Sequence, residues 1–465
     1  MSSAKEDKKA AALCLHISSG FFILFHSPPA FPQFALFPER TLIPMTDFPT
    51  ITGIIAEYNP FHSGHAFHLQ ESRLRTGASY TVVVMSGDFV QRGVPAIYDK
   101  YLRTRMALLS GADLVLELPP AFAVSSAEDF ASCAVSLLDQ LGVVSHICFG
   151  SECGDIKRLT DLADLLLEEP APLSRLIKEH LSAGCSYPRA LEAALTTCLP
   201  AQKQRDSASS LLSSPNNTLG IEYIKALRRR QSTIIPMTLP RIGAGYNDEE
   251  LAPAFSSASA IRKTILEHTG YGQNPDMLLS GQIPLACLEL MKSATPLCPD
   301  DFSVLLSYRL LELQYQNISP EIFAGVSPGL CARIQKQLLH FTAFQGRVAA
   351  LKTKQYTYTH ISRSLMHILL HMTAEDVNRR KQEDYCSYIR ILGFRKKAAS
   401  LLGYIKKASK LPLITKTADA SRILSPHALE QFQRDLFCSH IYQSVLEQKS
   451  GIRPENEYTH SVIVV

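Results

Sequence analysis

Several familiar signatures are missing from this 465-residue chain. Its eleven cysteines contain no CxxC pair, and although Cys148 and Cys153 lie close together, no second pair answers them. That pattern argues against a zinc site or a disulfide framework and for reduced, cytosolic thiols. There is no GxxxxGK[ST] loop and no legible Ser-His-Asp arrangement, so neither a P-loop site nor a triad hydrolase is indicated. Excess charge of one sign is scarce: 47 Lys and Arg against 43 Asp and Glu leave a formal +4. Any nucleic-acid surface must therefore come from local clustering. No convincing membrane span and no internal repeat are evident. What is present, 46% hydrophobic and 19% charged residues, fits a globular chain with real cores. The length suits two or three domains.

The first 44 residues stand apart. Lys5, Lys8 and Lys9 precede "AAALCLHISSGFFILF", which loosely imitates a signal peptide. His16, Ser18 and Ser19 interrupt the run, and no clear cleavage pattern follows. A disordered extension, or a start misassigned upstream of Met45, is expected rather than an export signal. From Phe48 onward strand and helix patterns alternate. "TITGIIAEY", "SYTVVVMSG", "DLVLELP" and "VSHICFGSE" read as strands, while "GHAFHLQESRLRTG", "DKYLRTRMALLSGA" and "SAEDFASCAVSLLDQLG" read as helices. Gly77 is a candidate C-cap and Ser126 a candidate N-cap. Such alternation predicts βαβ units and a parallel sheet. Residues 155–210 read as a helical insertion. After "GYGQNPD" the alternation stops and helices dominate, which divides the chain into 45–273 and 274–465.

The chemistry concentrates in "AEYNPFHSGHAFHL", residues 56–69, where the first strand ends. Ligands of open parallel sheets bind beyond the carboxyl ends of the strands. Asn59-Pro60 turns the chain, Gly64 lets the backbone approach a ligand, and helix-start N–H groups favour anions. His62 and His65 can donate to phosphate oxygens and stabilise charge building on an attacked α-phosphate. His68, one turn on, faces either solvent or the core. A metal shared by His62 and His65 is the weaker reading, since no third ligand is near. A lone histidine in such a turn would be an ordinary turn residue; HxGH at this junction favours a nucleotide site. "SSASAIRK" (256–263) offers a second phosphate cradle, with Ser257 and Ser259 as caps and Arg262 as a cation for a leaving group. "SGDFVQRG" (86–93) opens on the same edge: Asp88 is a candidate to orient magnesium or an incoming amine, Gln91 and Arg92 to contact phosphate or RNA, with Tyr98 and Lys100 nearby.

HxGH after a first strand resembles the nucleotidylyltransferase superfamily. "GIIAEYNPFHSGHAFHL", "VVMSGDFVQRGVPAIYDK", "GADLVLELP", "FGSE", "SPNNTLGIEYIKAL", "PRIGAGYND…SSASAIRK", "YTHISRSLMHILL" and "YIRILGFRKKAASLLGYIKKASKLPLITK" occur in the order seen in the bacterial tRNA(Met) cytidine acetate ligases. The likeness runs from about Thr52 to Lys416. It implies an α/β fold: a Rossmann-like parallel-sheet nucleotidylyltransferase domain that binds ATP, then a mainly α-helical, tRNA-binding domain. It implies a cytoplasmic ligase that joins acetate to ATP and moves the acetyl group to N4 of the wobble cytidine of elongator tRNA(Met). Magnesium is inferred only from ATP chemistry. Carried over residue by residue, the family's ATP segment matches Ile55, Ala56, Glu57, Tyr58, Asn59, Pro60, Phe61, His62, Ser63, Gly64, His65, Ala66, Phe67 and His68. Its later nucleotide contacts match Gly150, Asn216 and Arg241.

Elementary chemistry suits these placements. A side chain at Gly150 would crowd a nucleoside. Asn216 can donate and accept, or simply cap the next helix, and Arg241 has a fork for phosphate. Arg228-Arg229-Arg230, Arg379-Arg380-Lys381, Arg395-Lys396-Lys397 and Lys406-Lys407 are candidates for RNA. Tyr356, Tyr358, Tyr385, Tyr388 and Tyr404 are candidates for stacking on bases; the plainer reading of the charge runs is solvated helix faces. Two other readings stay open: a small-molecule adenylyltransferase or acyl-adenylate-forming ligase, and a noncatalytic RNA-binding protein.

Overall fold

The β-branched runs recognised in the sequence form strands buried on both faces, as parallel sheets require. The computed structural model describes residues 48–465 apart from 186, 199–210, 213, 242–249, 252–254 and 269–275. The expected leader (1–44) and the expected boundary between 273 and 274 fall outside the described residues. In the first half come β1 (Ile51–Ala56), α1 (Ser63–Thr76), β2 (Tyr80–Ser86), a small hairpin of β3 (Phe89–Val90) and β4 (Val94–Pro95), and α2 (Lys100–Leu109). They are followed by β5 (Leu114–Leu118), α3 (Ala127–Gln140) and β6 (His146–Ser151). Helices Ile156–Glu168, Ala171–Ser182 and Tyr187–Cys198 occupy the insertion, and helix Pro215–Arg229 then leads to β7 (Ile235–Pro240).

Strands β5-β2-β1-β6-β7 lie side by side and parallel. In order of appearance that is 3-2-1-4-5, the doubly wound arrangement. The order reverses between β1 and β6, so a crevice opens beyond their carboxyl ends. Local signals place the helices correctly. Gly77 closes α1 with φ 63, and Ser126 Oγ accepts the Asp129 amide to start α3.

The second half is mainly helical, including Ser303–Tyr315, Tyr358–Leu369, Ala374–Gln382, Ala399–Ala408 and the 25-residue Pro426–Ser450. It also returns strands to the sheet, which the helical reading did not anticipate. β8 (Ile389–Phe394) pairs antiparallel with β5, while β9 (Leu413–Ile414) and β10 (Ile463–Val464) pair with β8. Residues 48–465 form one compact unit. A buried ionic cluster joins its halves. The Lys100 ammonium lies 3.0 Å from Glu117, 3.2 Å from Glu457 and 3.6 Å from Asp88, and donates to Ser439 Oγ at 2.7 Å. Arg390 bridges Glu117 (3.1 Å) and Glu457 (2.5 Å). Paired charges of this kind resist separation because removing one leaves its partner buried alone.

Candidate active site

The loop after β1 is held from below. Buried Arg103 donates to the carbonyls of Glu57 (2.7 Å), Ser86 (3.0 Å) and Tyr98 (2.9 Å), and to that of Gly87, tying the ends of β1 and β2 together. Glu57 Oε1 accepts the Gln91 amide at 2.8 Å, which brings the β3–β4 hairpin alongside.

The two histidines of HxGH then start α1 by capping each other. The Gly64 amide donates to His62 Nδ1 at 3.1 Å, and the His62 amide donates to His65 Nδ1 at 3.3 Å. This is capping-box logic with imidazoles in place of Ser and Glu, and it explains the spacing of three. It also fixes the tautomers: with Nδ1 accepting, the neutral ring carries its proton on Nε2. Neither Nε2 has a partner among the described residues, and the rings stack with centroids 3.7 Å apart. His68 Nε2 is likewise buried without a partner. A Cβ at Gly64 would lie 2.9 Å from His62 Cε1, so glycine is required to let the ring close over its own helix start.

Burial, then the cations Arg241 and Arg262, pull the His62 pKa down to about 3. Burial first, then His62 and Arg241, holds His65 well below the usual range, and burial with Arg241 brings His68 to about 4. At neutral pH the site is therefore three uncharged donors among arginines, arranged for an anion.

Three further elements complete the cavity. β6 supplies Gly150, and the end of β7 supplies Arg241. Helix Pro215–Arg229 supplies Asn216, Leu219 and Tyr223, spaced three and four apart on one face. Helix Ala258–His268 supplies Ser259 and Arg262; Ser257 Oγ accepts the Ala260 amide at 3.0 Å. Arg262 donates to the Asn59 carbonyl at 2.7 Å and to Ser259 Oγ at 3.0 Å, holding its fork at the cavity wall.

The structure thus gathers Ile55, Ala56, Glu57, Tyr58, Asn59, His62, Gly64, His65, Phe67, His68, Gly150, Asn216, Arg241, Ser259 and Arg262 around one hollow. Pro60, Phe61, Ser63 and Ala66 stand outside its lining. Asp88 does not reach it: its carboxylate accepts the Lys100 amide at 2.9 Å and faces the Lys100 ammonium, inside the buried cluster. Lys100 and Tyr98 are buried as well, whereas Gln91 and Arg92 do line the cavity.

The profile of the HIGH nucleotidyl transferase family matches residues 50–457. A protein of Acetivibrio thermocellus named tRNA(Met) cytidine acetate ligase is 39% identical over 420 residues, covering 89% of this chain and 100% of that protein. One of the same name from Thermoanaerobacter is 41% identical over 405 residues, covering 86% and 96%. The chain belongs to the tRNA(Met) cytidine acetate ligase family of HIGH nucleotidyl transferases. The crystal structure of Thermotoga maritima TmcAL in its apo form superposes with a TM-score of 0.81, at 30% identity, over 90% of this chain and 99% of that one. The form bound with alpha-thio ATP gives 0.79 at 29%, over 89% and 99%.

The sequence reading missed one polar residue of this ligase-family site. Glu152, in "FGSE", holds Asn216 in place. Its Oε1 accepts Asn216 Nδ2 at 2.7 Å and the Asn216 amide at 3.3 Å, while Oε2 accepts the Asn217 amide at 2.8 Å. A carboxylate thus caps helix Pro215–Arg229, and neither asparagine side chain does. The apolar wall of Phe149, Leu219, Tyr223 and Leu239 was missed too; the 216/219/223 helical spacing was the available signal.

The expected RNA clusters separate into two groups. Arg228 pairs with Asp164, Arg229 with Glu128, and Arg230 with Asp139 and Asp384. Arg379 pairs with Asp376, Arg380 with Asp435, and Lys381 with Asp129. Arg395, Lys396, Lys397, Lys406 and Lys407 have no ion pair among the described residues. Tyr388 is buried with its hydroxyl on Asp435, Tyr385 packs on Phe122, and Tyr404 packs on Phe48, so these rings are partly or wholly used inside the fold.

Proposed function

We propose that the chain is an ATP-dependent ligase that activates acetate as acetyladenylate and passes the acetyl group to N4 of the wobble cytidine of elongator tRNA(Met). One observation carries this: the cavity at the switch point of the sheet brings the paired histidines together with Gly150, Asn216, Arg241, Ser259 and Arg262. In this reading the adenosine lies on the apolar wall. The Nε2–H groups of His62 and His65 donate to the α-phosphate. An acetate oxygen attacks that phosphorus in line, and the bond to pyrophosphate breaks. Arg241, Arg262 and the start of helix Ala258–His268 meet the charge on the leaving group. The cytidine amine then attacks the acetyl carbonyl, forming the amide and releasing AMP and a proton. The amine is a weak nucleophile, which is why the acyl group must first be activated.

Positioning and charge stabilisation supply the rate. Among the described residues no three His, Cys, Asp or Glu side chains are grouped to hold a metal, and the wall carboxylate of Glu57 already accepts the Gln91 amide. Any magnesium would therefore rest on phosphate oxygens and water.

The mainly helical second half is taken as the RNA-binding part, with Arg395 to Lys407 its free cations. No helix among the described residues is long and apolar enough to cross a membrane. The free cysteines and the need for tRNA and ATP support a cytoplasmic setting.

Incubation with ATP and labelled acetate, with and without tRNA(Met), is the test. Label in the tRNA is expected. Acyl transfer that ignores tRNA would favour a small-molecule ligase, and absence of ATP turnover would favour a binding protein. His62→Ala should lower acetate-dependent ATP–pyrophosphate exchange by roughly 10²–10³, the usual effect of losing one aligned donor.

A further inference from the structure

Helix Tyr358–Leu369 is pinned along its length. Ser362 Oγ donates to the Gly93 carbonyl at 2.8 Å, and Ser364 Oγ donates to the Gly325 carbonyl at 2.9 Å. His367 lies between two carbonyls, Ala324 at 2.7 Å from Nδ1 and Val124 at 2.6 Å from Nε2. Within this fixed frame the Arg363 side chain has no hydrogen bond or ion pair with any described residue, although it is half-buried. The carboxylate that acts on it electrostatically, Asp129, is already held by Lys381 at 2.7 Å and by Ser125 Oγ at 3.2 Å. Burial pulls the Arg363 pKa below its ordinary value, as expected of a cation that lacks its counter-charge.

The position of Arg363 is informative. Its backbone abuts Gly93, where an added Cβ would lie 2.3 Å from the Arg363 nitrogen. Gly93 has φ +76 and stands between Arg92 and Val94, both of which line the cavity. Asp129 precedes Phe130, another lining residue. Arg363 is thus fixed beside the stretch of cavity wall formed by Arg92, Val94 and Phe130 but is not part of the lining itself. Arg241 and Arg262 line the cavity, where the ligase reading has them meet the triphosphate. A nucleotide fed into the hollow from a polynucleotide would leave its flanking phosphodiesters outside the lining, and Arg363 is a cation next to that lining without being part of it. We propose that Arg363 binds a backbone phosphate of the RNA next to the nucleotide that enters the cavity. The guanidinium fork suits two phosphate oxygens, which a lysine cannot engage in the same way.

This inference rests on the ligase reading, and the test separates the two. The affinity of the full-length protein for tRNA(Met) is measured across a salt series for wild type, R363Q and R363K, beside acetate-dependent ATP–pyrophosphate exchange without RNA. R363Q should weaken tRNA binding roughly tenfold and flatten the slope of log affinity against log salt by about one. R363K should keep the slope and lose affinity severalfold. If R363Q melts early, R363K carries the test alone. Wild-type affinity and slope in both variants would overturn the proposal. So would a fall in exchange with tRNA binding intact, because Arg363 would then serve ATP or acetate. A wild-type protein that fails to bind or acetylate tRNA would instead sink the ligase reading itself.

Discussion

Arg228 to Arg230 close one helix, and Arg379 to Lys381 lie near the end of another; each of these six cations meets a carboxylate of the same chain. Arg395 to Lys397 precede a third helix and Lys406 to Lys407 lie in its last turn, and none of them meets a carboxylate among the described residues. In sequence the runs look alike. The difference is what each faces: acidic helix starts such as Glu128 and Asp129 sit opposite the first group, whereas in the second Lys396, Lys397, Lys406 and Lys407 are exposed and no carboxylate among the described residues pairs with the group. The free group is also far from the chemistry. Arg395 donates its amide to the Asp113 carbonyl at 3.0 Å, and Ala408, next to Lys407, abuts Gly142, both at the amino ends of the parallel strands. The cavity lies at the carboxyl ends. A strand of six residues puts roughly 20 Å between the two edges. Counting basic residues therefore says little until their partners are known.

The sharpest way to break this contrast is at Arg380, whose side chain is 2% exposed and lies 3.0 Å from Asp435 and 3.2 Å from Asp376. Arg380→Met should cost about 3–5 kcal/mol, because Asp435 is left buried without its counter-charge. The shift in urea midpoint measures it. A change below about 0.5 kcal/mol, the range of an ordinary surface substitution, would mean the pairing is incidental and the runs are equivalent after all.

Asn216 shows the same contrast within one side chain. Its Nδ2 is bound to Glu152 inside the fold, and its Oδ1 is left to accept from whatever enters the cavity. Under the proposed ligase function, a bound nucleotide would offer a donor there, either a base amine or a ribose hydroxyl. Glu152→Gln removes the acceptor-only partner and lets the asparagine turn over. About 1 kcal/mol of helix capping should be lost. Comparison of ATP with 2′-deoxy-ATP and with the triphosphate lacking the 6-amino group reads the rest. Wild type should discriminate against one of the two analogues and the variant should not; equal discrimination by both proteins would refute the polarity argument.

What the sequence made legible follows from how local each cause is. The parallel strand-helix alternation, the Gly77 and Ser126 caps and the HxGH turn depend on neighbours a few residues away, and all were read from such neighbours; the 3-2-1-4-5 strand order is long-range and came from the structure. Gly150, Asn216 and Arg241 came through family likeness, since nothing local marks them. Asp88 was misplaced in the reading because its position after a strand resembled a site, whereas Lys100 and the distant Glu457 draw its surroundings into the core. Strand β8 was lost for a similar reason: it pairs with β5, some 280 residues earlier (Leu114 with Phe394), and no pattern within its own window announces that partner.

The mildest expected effect on the fold lies at the free cations, and it sharpens the comparison from the other side. Replacing Lys397, Lys406 and Lys407 by alanine breaks no pair, so each change should move stability by no more than about 0.5 kcal/mol. If these cations meet RNA, the salt slope of tRNA binding should fall by roughly 0.9 for each phosphate released, up to about three for the set. Exchange of ATP and pyrophosphate should stay level, since the cavity is a sheet-length away. Unaltered binding and slope would leave the cluster as a solvated face and place the RNA wholly at the cavity edge, beside Arg363. A loss of stability instead would show that these lysines have partners within the chain, and the division into paired and free cations would fail at its free end.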